Sequence, residues 1–373
     1  MIKLRGYRMS FSLSNIFSSL TKSSARSVAP TTATVGVDLG SSSVKVVAIE
    51  QTAQALMLRT YGELQLGPYD NKSLGEAVTL DAKKKTEAII DVFRESQVQS
   101  NHGALAMPLS SSFLTVMSLK TRPGEDLASR VTVEAKKYVP LPLADVTLDW
   151  NELPQLDGAD SNVSEIMLAA IEKKALAEYN GILNTIGMAG EPAEIEAFSL
   201  IRSLWRHDDT TLAIVDLGAR TAKLYIVRNE ILERIHRVGI GGQAVTNRLA
   251  KLLNVSFTEA ESMKRSYQKS DPQSRDIYKT MATVLDNPLN EFNQFINHYE
   301  QRQGSKINRI VLTGGVASSP YVIPYLKDRW SREVEIGNPF AKLAYPAFME
   351  DTLTSIAPVF GVSIGAALRQ FQY

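Results

Sequence analysis

Apolar and polar positions alternate along the chain in short runs broken by glycine and serine, and one such arrangement occurs twice. Val35 and Val37 lead into Asp38-Leu39-Gly40, the run Gly40-Ser41-Ser42-Ser43 turns, and Val44 to Ile49 leads out. Thr34 to Glu50 therefore predicts two strands joined by a tight turn. Thr210 to Val227 repeats the pattern through Leu212 to Val215, the turn Asp216-Leu217-Gly218-Ala219-Arg220-Thr221, and Ala222 to Val227. The two segments align as VDLG-x-x-[ST]-x-K at a spacing of about 180 residues. That period is too long for a solenoid and predicts a duplicated domain, one copy per lobe.

Between the copies, Lys83 to Ser96 has the pattern of an amphipathic helix, and Ala104 to Pro108 and Phe113 to Leu119 those of strands. Glu125 to Tyr138 predicts a helix with Leu127, Val131 and Ala135 on one stripe, ended by Val139-Pro140-Leu141-Pro142. Strands at Thr147–Glu152 and Glu165–Ile171 and a helix from Lys173 to Gly187 complete a β-α-β-β-α unit over residues 112–189. After the second hairpin, Gly239-Ile240-Gly241-Gly242 opens a helix running to about Leu253. Helices at Thr258–Tyr267 and Tyr278–Gln301 follow. A strand Asn308–Thr313 then ends in Gly314-Gly315, and helices follow at Tyr321–Trp330 and Ala357–Arg369, the last containing Gly361 and Gly365.

Composition narrows the function classes. A chain of 373 residues has the length of roughly two domains. Its net charge of +1, with no basic cluster interleaved with aromatics, gives no footprint for nucleic acid. With no cysteine, disulfides, thiolate zinc sites and cysteine nucleophiles are excluded. His102, His207, His236 and His298 show no metal-ligand spacing. No apolar run approaches the ~20 residues of a membrane span. Residues 1–37 lack Asp and Glu and carry Lys3, Arg5, Arg8, Lys22 and Arg26. Residues 1–33 are expected to be a flexible basic tail. Leu13, Ile16, Phe17 and Leu20 fall on one helical face, so a short helix touching a membrane or partner, or a transit peptide, stays open. Met9 is a second candidate start.

The candidate chemistry lies at the turns. A triphosphate needs closely approaching backbone N–H donors, small residues and a cation. Gly40, Ser41, Ser42 and Ser43 supply donors and hydroxyls without bulk. Lys45 can reach phosphate, and Asp38 at the strand end can hold hydrated Mg²⁺. One such loop reads equally as an ordinary turn; a matching second one favours the site. In that second loop Asp216 offers another metal-side carboxylate, while Gly218 and Thr221 face phosphate. Two carboxylates from opposite lobes would make cleft closure depend on ligand. Gly314, Gly315 and Val316, between a strand and a helix, let a nucleoside lie against the backbone. Gly241 and Gly242 join the same set. Glu261 and Lys264 share a helix face at i,i+3 and are candidates for ribose and adenine contact, or else form a salt-bridged surface.

This order of hairpin, hairpin and Gly-Gly turn resembles the actin and sugar-kinase superfamily, which includes heat-shock chaperones and the cell-division protein FtsA, over residues 34–373. The run Glu134 to Trp150, with Tyr138-Val139-Pro140-Leu141-Pro142-Leu143 and Val146-Thr147-Leu148-Asp149, resembles the signature of the PilM family of type IV pilus assembly proteins. Val238 to Gln243 and Pro358 to Ala367 are similar to that family as well. Leu141 stands where Phe is usual, and the N-terminal extension is longer than the family pattern. The resemblance implies an α/β, two-lobed actin-like (ribonuclease H-like duplicated) fold with an inserted FtsA-type 1C subdomain. Subdomain 1A would span 34–111, completed by 190–208 and 346–373, with 1C at 112–189. Subdomain 2A would span 209–245, completed by 303–345, with 2B at 246–302. It further implies a cytoplasmic protein at the inner face of the inner membrane, acting in pilus assembly and twitching motility and binding ATP with Mg²⁺. The partner would be the inner-membrane protein PilN, whose cytoplasmic N-terminal peptide lies in a groove between 1A and 1C. Tyr138, Pro140, Leu141, Pro142, Leu143 and Val146 would wall that groove. Glu196 resembles the residue that orients water in some bacterial actins, although a helix-start glutamate reads the same way, and turnover is expected to be slow at most. Two other readings remain. A small-molecule kinase would need a general base near its acceptor, for which no clear candidate stands out. A filament-forming homologue would self-associate by open-ended stacking.

Overall fold

The computed structural model describes residues 33–120, 126–154, 162–189, 191–266, 272–304 and 306–371. The basic tail and its Leu13–Leu20 stripe lie outside these residues. The first hairpin forms where the alternation predicts it. β1 (Ala33–Leu39) pairs antiparallel with β2 (Ser43–Gln51), and β3 (Leu56–Gln65) adds an outer edge. The helix α1 (Ala82–Glu95), capped by the Asp81 carboxylate accepting the Lys84 N–H at 2.8 Å, returns the chain to β4 (Gly103–Met107), parallel to β1. The chain then leaves this sheet. β5 (Ser112–Lys120), α2 (Leu127–Ala135), β6 (Val146–Glu152), β7 (Val163–Glu172) and α3 (Lys173–Thr185) build a separate antiparallel sheet of order β5-β7-β6. Its own core gathers Met117, Val131, Ile166 and Leu168. β8 (Ala193–Ile195) rejoins the first sheet, completing the order β3-β2-β1-β4-β8, and α4 (Glu196–Leu204) follows directly.

The second half repeats this plan. β9 (Thr211–Leu217), β10 (Ala222–Arg228) and β11 (Ile231–Val238) form the meander. The helices α5 (Gly242–Leu253), α6 (Phe257–Ser266) and α7 (Ser274–Gln303) lead to β12 (Arg309–Thr313), parallel to β9. After α8 (Val322–Trp330), β13 (Glu335–Ile336) closes a sheet of order β11-β10-β9-β12-β13, which matches the first strand for strand. The last helices, α9 (Glu350–Ile356) and α10 (Gly361–Leu368), return to the first lobe. There α10 packs on β1 and α4 at backbone distance. A Cβ on Gly36 would stand 1.9 Å from the Ser363 carbonyl oxygen, and one on Gly365 would stand 1.7 Å from that of Ser199.

Register does the rest of the positioning. The β1–β2 pairing sets Asp38 opposite Lys45, and the β9–β10 pairing sets Asp216 opposite Lys223. Residues directly opposite in an antiparallel pair share a face, so each hairpin presents an acid and an amine side by side.

Three expectations need adjusting. The helix expected over Glu125–Tyr138 ends at Ala135, because the Tyr138 and Val139 N–H groups both fold back on the Ala135 carbonyl before Pro140. The helix expected over Ala357–Arg369 is broken: Ala357–Val359 is a 3₁₀ turn, and the Pro358 carbonyl turns aside to accept Gly314 N–H at 2.8 Å and Thr313 Oγ1 at 2.6 Å. The strands β3, β8, β11 and β13 were not apparent from the alternation. In β11 the charged Glu233 and Arg234 mask the pattern, and the fold supplies partners for both: Arg228 and the Tyr299 hydroxyl for Glu233, and Glu165 of the inserted sheet for Arg234. Among the described residues no single helix is long and apolar enough to cross a membrane.

Candidate functional site

The two hairpin turns, the α5 and α6 region and the Gly-Gly turn after β12 converge on a cavity of about 400 Å³. Of the residues singled out in the sequence, Asp38, Gly40, Ser41, Ser42, Ser43, Lys45, Glu196, Asp216, Gly218, Thr221, Gly242, Glu261, Lys264, Gly314, Gly315 and Val316 all line it. Gly241 does not. It lies beneath the second turn, where a Cβ would stand 2.5 Å from the Gly218 carbonyl oxygen. The first N–H groups of α5 are likewise committed to that turn, Gly242 to the Gly218 carbonyl and Gln243 to the Ala219 carbonyl, each at 2.9 Å. Both glycines therefore act by letting a helix end approach the loop closely.

The buried charges are arranged asymmetrically. Lys45 Nζ lies 3.6 Å from Asp38 Oδ2, too far for a hydrogen bond. Burial pushes the Asp38 carboxyl up to about 6, against the lowering pull of Lys45. In the second hairpin Lys223 Nζ reaches Asp216 Oδ2 at 3.0 Å and Glu196 Oε1 at 2.9 Å. Burial would lower the Lys223 pKa, but the two carboxylates outweigh it and hold the amine well above its ordinary value. Glu196 Oε1 also accepts the Leu109 N–H at 2.8 Å. Lys223 was not among the residues singled out, yet the repeat contains the signal: it is the counterpart of Lys45 in VDLG-x-x-[ST]-x-K.

Glu261 and Lys264 form a buried pair at 2.5 Å. Lys264 also donates to the Gly242 carbonyl and Thr246, and Arg265 donates to Glu261. Although burial opposes it, these donors hold the Glu261 carboxyl below its usual range. The pair lines the cavity as a locked wall. Across the mouth, Ala77 N–H donates to Gln243 Oε1 at 2.9 Å and Arg220 to Thr79 Oγ1 at 2.8 Å, bridging the lobes.

Small residues, a pair of amines and an enclosed volume fit a phosphate-bearing ligand. No group of three or more His, Asp or Glu that could hold an ion forms among the described residues. Asp216 is held on one side: Lys223 takes its Oδ2, and the turn packs beside its Oδ1, where a Cβ on Gly314 would lie 2.6 Å away. Asp38 keeps the looser environment. Of the expected groove residues, Tyr138 and Leu141 are 37% and 39% exposed, and Pro140 and Pro142 are exposed too. Val146 is corrected, because it is buried in the core of the small sheet, with Leu143 half-buried against it.

The family model described as type IV pilus assembly protein PilM matches residues 36–371. The chain belongs to the PilM family. A solved PilM–PilN type IV pilus biogenesis complex is similar at a TM-score of 0.74 and 21% identity, covering 92% of this chain and 100% of that one. MreB5 of Spiroplasma citri bound to ADP is similar at 0.54 and 13% identity, covering 91% of this chain and 97% of that one. The cell division protein FtsA of Enterococcus faecalis is 19% identical over 347 residues, 81% of this chain and 78% of its own length. The fold is thus the two-lobed actin-like one, and the β5-β7-β6 sheet stands as an insertion between the β4 and β8 strands of the first lobe.

Proposed function

We propose that this PilM-family chain is an adenine-nucleotide-binding scaffold of type IV pilus assembly. In this reading it lies at the cytoplasmic face of the inner membrane and takes the N-terminal peptide of a PilN-like protein. The observation that carries the nucleotide part is the pair of hairpins, each setting an aspartate opposite a lysine at one cavity. Gly40 and Gly218 close their turns by donating to Ser43 and Thr221 carbonyls at 3.1 and 3.0 Å, which sets Ser41, Ser42 and Ala219 along the cavity. Lys45, loosely paired, turns to phosphate. Asp38 is the carboxylate left to hold hydrated Mg²⁺, which would screen phosphate charge when bound.

Glu196 is committed to Lys223 and the Leu109 N–H, which supports slow turnover at most, since phosphoryl transfer to water needs a free positioning group. The subdomain boundaries expected from the sequence are part of this proposal, with 1C on the inserted sheet. The exposed Tyr138-Pro142 segment offers apolar contact to the partner peptide. Titration calorimetry with Mg-ATP tests the first part. Binding is expected, weakened about tenfold or more in Lys45→Ala; no binding by the folded protein would sink it. A pull-down with the cytoplasmic N-terminal peptide of a PilN-like protein tests the second, with capture lost in a Tyr138→Ser/Leu141→Ser double variant. Equal capture by that variant would move the partner elsewhere.

A further inference from the structure

The two phosphate hairpins have one sequence pattern and two electrostatic states. In the first, acid and amine stand 3.6 Å apart. In the second, the amine is clamped between carboxylates of opposite lobes, Glu196 on α4 and Asp216 on β9, at 2.9 and 3.0 Å. We infer that Lys223 is a built-in counter-ion that takes the divalent cation's place on the second carboxylate, so the cleft binds a nucleoside triphosphate with little need of Mg²⁺. The inference rests on the nucleotide reading above and deepens it.

Asp216 Oδ2 is already engaged by Lys223, and the Gly-Gly turn packs closely beside Oδ1, where a Cβ on Gly314 would lie 2.6 Å away. A metal would have to displace a buried ammonium to reach Oδ2. With Lys223 in place, Glu196, Asp216 and the amine together carry a charge of −1; without it they carry −2, facing an incoming polyanion. Lys223 thereby offsets one of the two negative charges that Mg²⁺ would otherwise have to offset, and Lys45 is the amine left to meet phosphate. The asymmetry assigns the roles. Lys45 is free to move onto phosphate, while Lys223 stays to offset one charge of the floor and to join α4 to the second hairpin.

The experiment measures ATP affinity by calorimetry in excess Mg²⁺ and in EDTA for wild type, Lys223→Met and Asp216→Asn. Wild type should bind in EDTA within about threefold of its Mg²⁺ affinity, while Lys223→Met should widen that ratio to about tenfold or more. Asp216→Asn leaves Lys223 paired with Glu196 and provides a test should Lys223→Met fail to fold. Whatever its absolute affinity, its ratio of Mg²⁺ to EDTA affinity should stay within about threefold. A wild type that binds in Mg²⁺ but about tenfold or more weaker in EDTA, with Asp216→Asn losing the Mg²⁺ affinity, overturns the role of Lys223 and leaves the nucleotide reading intact. A folded wild type that binds ATP in neither condition refutes the nucleotide reading itself.

Discussion

Replacing Gly365 by alanine should cost far more than its chemistry suggests. Gly365 sits inside α10, where alanine is the better helix former by about 1 kcal/mol. Its neighbour is backbone, not a side chain that can swing away. The new methyl would lie 1.7 Å from the Ser199 oxygen and 2.4 Å from the Ser199 carbonyl carbon, where ordinary contact begins at 3.4 Å. To relieve this, α10 must lift from α4 by more than an ångström. α10 is wedged against β1, and α4 carries Leu200, Ile201 and Leu204 into the buried core. Overpacking of this kind costs about 3 kcal/mol, which exceeds the propensity gain and leaves a net loss near 2 kcal/mol. Gly181 in α3 is the control: it is exposed, and a Cβ there meets nothing within 4 Å. Gly181→Ala should stabilise by up to about 1 kcal/mol. Urea unfolding gives the two values, and hydrogen exchange of β1 and α10 amides confines the first to this contact. A Gly365→Ala protein as stable as wild type would refute the close-approach argument for the last helix.

Three further perturbations test the charged groups. The folded pKa of Asp38 is raised to about 6, so the stability it contributes is present below its unfolded value near 3.8 and is lost as pH rises through 6. Comparing wild type with Asp38→Asn in urea, the balance should shift toward the variant by on the order of 3 kcal/mol between pH 4 and pH 7; a flat difference contradicts the buried carboxyl. Glu194 is buried, and although burial would raise its pKa, Arg202 and Arg369 hold it below 4.5, together with Ser199. Arg202→Met should cost about 3 kcal/mol at neutral pH, and less as the carboxylate is protonated, because that contribution is lost as pH falls through the depressed value. Arg234 grips Glu165 with two contacts of 2.8 Å, joining the second lobe to the inserted sheet. Arg234→Ala should speed hydrogen exchange in β5 to β7 by about tenfold, and an Arg234→Glu/Glu165→Arg exchange should recover part of the loss.

The sequence by itself determined the repeated hairpins, the position of the inserted β-α-β-β-α unit and the cavity-wall residues that lie on the turns and on the Glu261–Lys264 face. Those features are local. A strand's alternation, a Gly-Ser turn and a fixed offset from Asp38 to Lys45 or from Asp216 to Lys223 are written within nine residues each. The edge strand β11 is masked by its charges: Arg228 meets Glu233 locally, but Glu165 and Tyr299 match Arg234 and Glu233 from tens of residues away, which no window contains. The break before α10 depends on the Pro358 carbonyl meeting Gly314 and Thr313 across the fold.

The division of labour between the two lysines is likewise tertiary. The repeat makes Lys45 and Lys223 equivalent, and only the docking of α4 brings Glu196 to the second and not the first. Pairing with a nearest neighbour in register follows from sequence. Which buried charge a third, distant group neutralises follows from how the lobes pack, and that packing decided which lysine is free.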